Sequence, residues 1–554
     1  MKHLGLLCLS AALVACGGGS GSEGNQAPTL SNISIEVDGV AQTDLQVPVV
    51  LGLQSAGINV RINYSYQDAE NDPLDDVEVI WRLNGEEVDA VITKSNDYAY
   101  RRFTFGEGEG QLTAHLTPRA VSGTTSGAPV EVGPINLKRK DIAFFTAFSQ
   151  AGVKEDYLMA TDNTPDGTVK LKSFNEGGEN IGEAVAINNI WLMPVYDGYG
   201  EKHTLASTNG ITFDTEAFDV SVQASNLFRF GDRVLFSGYQ EGSGSELWVS
   251  YGVNSASSPE KSNHRLKEIR SGENGSSPKN FFQLGDRVLF SANDGTSGHE
   301  LWITDGTASG TELFKDIYSG VVSAHPSSFT LLGNKAVFVA NSAEYGNELW
   351  ITDGTQEGTT LLKDLTPAQN GLVYHTNPTF LAKAGAFVFF RADALDGSQS
   401  VWRTNGTSEG TEQVSSLKPM SIIGWNDKVV FRTQDDQLLW GTSSDNLKSI
   451  SGLSSFKNLR VTADMLFFEA FDSNEGNGLY SFDGNEQGSV TRVYQGLVYS
   501  RVVNGDKLLF SANSADAGRE LFITDGRGDA QLLDLNPGSA SSSPQLQLNN
   551  LIRR

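Results

Sequence analysis

One eight-residue phrase does most to limit what this chain can fold into. Glu300-Leu301-Trp302-Ile303-Thr304-Asp305-Gly306-Thr307 returns almost unchanged as Glu348 to Thr355, and weaker copies run through the C-terminal three-quarters. Leu, Trp and Ile at short spacing predict a strand, and Asp-Gly ends it. In the turn that follows, the Asp carboxylate can accept from nearby backbone N–H groups while Gly takes a positive φ. Leu301 and Ile303 point to one face of the strand and Trp302 to the other. Large apolar side chains on both faces require that both be covered, as for a sheet packed between two neighbours.

Aligned on the Leu of the phrase, nine copies stand at Leu158, Leu205, Leu247, Leu301, Leu349, Val401, Leu439, Leu479 and Leu521, 38 to 54 residues apart. A Val-Leu-Phe strand precedes most of them, as in Gly285 to Ala292. Before it a Pro often stands twelve residues ahead of the Phe: Pro278/Phe290, Pro326/Phe338 and Pro378/Phe390. Each unit therefore spells four short strands, the size of a propeller blade. These copies resemble the ELWxxDGT repeat family of bacterial surface proteins, over residues 139–554. The resemblance implies a β-propeller and brings no catalytic activity with it. A ring must join its first and last blades, so Gln545 to Asn549 is expected to pair in the blade that contains Ala143 to Ala147.

Residues 1–15 read as a lipoprotein signal peptide: Lys2, an apolar run from Leu4 to Val14, then Leu13-Val14-Ala15-Cys16. The pattern resembles a bacterial lipoprotein signal, which makes Cys16 the lipidated N-terminus and, with Gly17 next, implies sorting to the outer membrane. The other Cys, Cys8, lies inside the signal. Residues 16–27 hold the lipidated Cys and a Gly/Ser-rich linker with a reach of about 20 Å. Residues 28–138 alternate like short strands and resemble an Ig-like or PKD-like sandwich without its disulfide, with Trp81 as the buried indole of a central strand.

A formal charge of −26 disfavours nucleic acid and anionic lipid as partners. It favours divalent cations or basic partners. Two acidic loops offer oxygen ligands of the kind Ca²⁺ takes: Asp68, Glu70, Asp72 and Asp75 in the sandwich region, Asp472 and Asn474 among the repeats. Neither has EF-hand spacing, and a solvated turn is the stronger reading of each. The repeated Asp162, Asp305, Asp353, Asp483 and Asp525 suggest a ring of metal sites or a shared turn, and a need common to all units favours the turn. Gly306 and Gly354 belong to that turn. Trp248, Trp302, Trp350 and Trp402 read as packing between blades before they read as sugar-stacking surfaces. His203, His264, His299, His325 and His375 fall in separate loops with no shared spacing. Gly406 to Gly410 spells Gly-x-Ser-x-Gly, but in the repeat's turn instead of a strand-to-helix elbow.

The expectation is an all-β protein: an N-terminal Ig-like β-sandwich followed by a many-bladed β-propeller, with eight or nine blades of four strands each. Its expected role is a lipid-anchored outer-membrane binding or scaffold protein that presents a propeller to an envelope protein or glycan, without catalysis of its own. The alternative is a polysaccharide-active envelope enzyme with its site in the propeller's central depression.

Overall fold

The computed structural model describes most residues between 27 and 544. Residues 1–26, 545–554 and several loops, among them 43–48, 52–57, 68–73, 104–109, 215–221 and 253–262, lie outside the described residues. Cys16, Asp68, Glu70, Asp72 and Gln545 to Asn549 therefore stand outside the description. The chain divides into two compact units: residues 1–141 with 166–169 and 209–211, and the remainder to 554.

The first unit is built on two five-stranded sheets. One contains Thr29–Val37, Ile58–Gln67 and Tyr98–Phe103; the other contains Leu74–Leu83, Gly110–Ala120 and Val130–Arg139. Strict alternation makes their inner faces: Val60 and Ile62 from one sheet, Leu112, Ala114 and Leu116 from the other, are fully buried. Trp81 is fully buried between the sheets and meets Phe103 edge-on, with ring centroids 5.7 Å apart.

The second unit is a many-bladed propeller, with nine sheets in sequence order among the described residues. They are called blades 1 to 9 below: 143–174, 180–214, 223–267, 279–315, 327–363, 379–415, 419–449, 453–495 and 498–533. Blades 3 to 9 each have four antiparallel strands in sequence order. The second and third strands keep one register, which sets Phe236 opposite Trp248, Phe290 opposite Trp302, Phe338 opposite Trp350, Phe390 opposite Trp402 and Phe510 opposite Phe522.

Both faces of each third strand are covered. Trp302 is 7% exposed and packs with Leu235, Leu247 and Val249 of blade 3. Leu301 and Ile303, on the opposite face, pack with Ala336, Phe338 and Trp350 of blade 5. From blade 2 to blade 7 the first strands neighbour one another, which makes the first strands of the repeat its inner edges around the axis. In blades 3 to 9 each inner strand is bulged, for example between Lys279 and Phe282 and between Ser327 and Thr330, with Asn226, Asn280, Ser328 and Phe380 at φ between 54° and 58°. At two of these bulges a side-chain amide reaches forward. Asn226 Nδ2 donates to the Pro278 carbonyl and Asn280 Nδ2 to that of Pro326, at 3.5 and 3.0 Å.

The ring closes. Ala143, Phe145 and Ala147 of blade 1 share a core with Val502, Leu509, Leu521 and Ile523 of blade 9. Asn504 Nδ2 donates to Asn163 Oδ1 at 2.9 Å across the same joint. Blade 1 has three strands among the described residues, not four. The expected fourth, Gln545 to Asn549, lies outside them, but its approach is visible. Ser542 N donates to the Arg519 carbonyl as Ser276 N donates to that of Ser245. Ser500 Oγ donates to the Pro544 carbonyl at 3.3 Å, in the manner of Asn226 and Pro278.

Candidate functional site

The two ends of the repeated strand do different work. At its exit, Asp305 Oδ1 accepts from Thr307 N at 2.8 Å and from Thr307 Oγ1 at 2.7 Å. Thr304 and Thr311 share a buried hydroxyl pair at 2.7 Å, and Gly306 adopts φ +85°. A Cβ on Gly310 would lie 2.2 Å from the Asp305 carboxylate, so only Gly fits there. Asp353 repeats these bonds with Thr355, and in blade 6 Asn405 makes them with Thr407 although it carries no charge. The hydroxyl of Thr307 and that of Thr355 hold the Asp305 and Asp353 carboxyls below their usual range.

At its entrance stands a group whose role the sequence reading left undefined, the Glu of the phrase. Glu246, Glu300, Glu348 and Glu520 are all fully buried. Glu300 accepts from the backbone N–H groups of Ile317 and Ala324 at 2.7 and 2.9 Å, and more weakly from Tyr318. Glu246 takes the Ile269 N–H at 2.8 Å and the Ser276 hydroxyl at 2.6 Å; Glu348 takes the Thr376 hydroxyl and Glu520 that of Ser542. Each carboxyl thus fastens the connection that leads into the next blade. Burial outweighs these bonds in three of the acids: it raises Glu246, Glu300 to about 7 and Glu348 to about 8. The signal for this was present in the spacing: the bonded residue stands two before the Pro that opens the following unit, as Ser276, Thr376 and Ser542, with Ala324 in that place after Glu300.

Across the inner edges of blades 3, 4 and 5 lies a depression of about 330 Å³. Its walls are Leu227, Phe228, Phe281, Phe282 and Phe329, and its polar groups come from Glu183, Asn226, Asn280 and Ser328. Phe228 stacks on Phe281 at 6.1 Å and Phe282 on Phe329 at 5.7 Å. The bulges place the left-handed residues Asn226, Asn280 and Ser328 at the rim and take their main chain out of the ladder. None of these residues had been singled out from sequence, because a pocket shared by three blades has no linear motif.

Of the candidate ligands for a metal, Asp472 is engaged in local bonds. Asp472 Oδ1 accepts from the N–H groups of Asn474 and Glu475, a turn of its own making, and Asp75 stands at a bulge in its strand. Among the described residues no group of three or more His, Cys, Asp or Glu side chains is placed to hold a metal ion. Trp248 and Trp350 are buried at 7% and 8% exposure, and Trp402 is half-buried with Nε1 donating to Ser400 Oγ at 3.0 Å. Two of the scattered His residues do meet: His299 and His325 stack at 5.5 Å. Burial, with Lys279 and the neighbouring imidazole, lowers His299 to about 4.

No protein-family model and no curated protein matches the chain. Solved structures do. A puromycin hydrolase matches 62% of this chain over 58% of its own, at 12% identity and a TM-score of 0.35. A prolyl endopeptidase matches 57% over 50% of its own, at 11% and 0.36. The β-propeller domain of the trilobed protease from Pyrococcus furiosus matches 65% over 99% of its own, at 11% and 0.32. The match thus spans 58% and 50% of the first two enzymes, and the likeness is one of fold alone. It still corrects one expectation. The sequence suggests a binding or scaffold protein with no catalysis of its own, yet the propellers it resembles belong to hydrolases and peptidases. The physical reason for the error is that a propeller is a carrier whose chemistry lies in what is grafted on it, so missing linear motifs said nothing about catalysis.

Proposed function

We propose that the propeller receives a peptide segment in the depression across blades 3 to 5, and that the chain acts on peptides at the cell envelope. The observation that carries this reading is the pairing of aromatic walls with main chain released from its ladder. Phe228, Phe281, Phe282 and Phe329 suit an apolar side chain, and the bulged residues beside them offer backbone groups and amide oxygens to a peptide bond. Asn226 and Asn280 use their Nδ2 atoms on the next blade, which turns each Oδ1 into an acceptor for an incoming N–H. Peptides are also what the names of the matched endopeptidase and protease imply as substrates, a parallel of fold only. The envelope placement rests on Cys16 and its signal-like approach.

The test titrates the full chain with end-blocked peptides, with and without one aromatic side chain, and with a neutral oligosaccharide. Binding of the aromatic peptide, weakened several-fold by Phe281→Ala in a variant that still melts cooperatively, supports the reading. Oligosaccharide binding without peptide binding would sink it, as would an affinity indifferent to Phe281→Ala and Phe329→Ala. The same mixtures, followed by mass spectrometry, show whether the bound peptide is cleaved.

A further inference from the structure

The inner strands of blades 8 and 9, Leu453–Val461 and Val498–Asn504, carry three cations, Lys457, Arg460 and Arg501. One carboxylate answers them. Glu469 Oε1 lies 2.8 Å from Arg501 Nη1, and Oε2 lies 3.6 Å from Lys457 Nζ. Arg501 and Glu469 are buried, with side chains 8% and 7% exposed, whereas Lys457 is exposed and Arg460 half-buried. Asn458 Nδ2 also donates to Glu469 Oε1, at 3.1 Å. Arg460 spends Nη1 on the Leu459 carbonyl at 2.8 Å. Arg501 spends Nη2 on two long contacts, to the carbonyls of Val498 and Tyr499 at 3.5 and 3.4 Å, and its Nε is buried without a hydrogen-bond partner.

Two positive charges are thus left in excess at this inner edge, within a chain whose formal charge is −26. Burial pushes both guanidiniums down, and at Arg501 the neighbouring Arg460 adds to the effect, so the pair is under-compensated as it stands. A guanidinium fork holds carboxylate or phosphate oxygens in a planar, two-pronged arrangement that a lysine can only supplement. We infer that Lys457, Arg460 and Arg501 bind one oxyanionic group, a carboxylate or a phosphate, at the inner edge of blades 8 and 9. This does not rest on the peptide depression, which lies in other blades.

Three probes separate the sources: a tripeptide with a free C-terminal carboxylate, its C-terminal amide, and inorganic phosphate. Each is titrated into the full chain by calorimetry at low and moderate salt. Saturable binding of the acid or of phosphate, lost for the amide, weaker by about tenfold in Arg460→Gln and falling with salt, is the expected result. Acid without phosphate assigns a carboxylate site, and phosphate without acid a phosphate site. Arg501→Met removes the buried charge and risks the fold, so Arg460→Gln and Lys457→Gln, on less buried side chains, carry the decision. Equal binding of acid and amide, affinity unchanged in both Gln variants, or no binding of any probe at millimolar concentration would overturn the inference.

Discussion

Blades 4 and 7 show how much of the phrase a propeller needs. Blade 4 has every letter, and its strand is fastened by buried Glu300 at one end and the Asp305 turn at the other. Blade 7 keeps Leu438, Leu439 and Trp440 on a four-residue strand, with Gln437 ahead of it and no Asp-Gly after it. Trp440 is still only 3% exposed and packs among blade 8 residues as well as its own. The carboxylate has moved. Asp436, in the preceding turn, accepts the N–H groups of Ser455 and Phe456 at the start of blade 8, as Glu300 accepts those that lead into blade 5. The apolar alternation is what both blades share, and the fastening to the next blade can be supplied from a different backbone position.

The largest effect should come from the indole that each blade buries: Trp302, opposite Phe290 and packed on blade 3, and Trp440, one register place further on, opposite Val430 and packed on blade 8. Trp302→Ala and Trp440→Ala should each cost about 3–5 kcal/mol in chemical denaturation, through cavities between or within closely packed blades. A cost near zero at Trp440 would mean that blade 7 is not packed as blade 4 is. The next effect should divide them. Glu300→Ala strands three backbone donors in a dry connection and should cost about 3 kcal/mol. Asp436→Ala leaves donors that water can reach and should cost about 1 kcal/mol. Equal losses would erase the distinction between a buried and a half-exposed fastening.

The buried acids of blades 4 and 5 add a pH dependence. Glu300 and Glu348 are raised by burial to about 7 and about 8, above the usual 4.5 that the unfolded chain shows. The folded state therefore holds more protons between those values. The contribution of these two acids to stability is complete below about pH 4.5, declines as pH rises through 7 and 8, and is gone beyond. The melting temperature should fall over that window, and Glu300→Gln with Glu348→Gln should flatten the profile. A profile unchanged by the double substitution would assign the slope to the net negative charge instead. The smallest effect belongs to the exposed turn. Asp305→Ala should cost on the order of 1 kcal/mol, and Asp305→Asn about 0.5 kcal/mol or less, because Asn405 makes the same bonds in blade 6. If the Asn change proves as harmful as the Ala change, and added calcium reverses the harm to wild type, a metal site is at work.

The fold was legible where chemistry is local. Alternation of Leu301, Trp302 and Ile303 announces a strand covered on both faces, and Asp-Gly announces where it ends. The count of units could be read because even Leu158, which has lost most of the phrase, keeps its apolar spacing; in blade 7 the alignment on Leu439 is one residue out, since Leu438 stands where Leu301 does and Leu439 lies opposite Phe431. The depression was not legible, since Phe228, Phe281 and Phe329 belong to three units and meet only when the inner edges are drawn together. Glu300 escaped for a different reason. A charged residue beside a strand reads as solvent-facing, and only the returning chain at Ile317 and Ala324 reveals that it is enclosed. The His299–His325 pair escaped because stacking across a connection of variable length leaves no fixed spacing.

The forward reach of Asn226 and Asn280 has a consequence for how such a ring can change length. Each contact runs one way, from a bulge in one blade to the Pro carbonyl of its successor, so the joints are head-to-tail and chemically alike. Removing blade 4 as a unit would leave Asn226 facing Pro326 in place of Pro278, donor to acceptor as before. Only the angle at every joint would alter, shared around the circle. Duplication or loss of a whole repeat is therefore a small geometric perturbation for this architecture, whereas a deletion of half a repeat would leave an amide and a carbonyl without their counterparts.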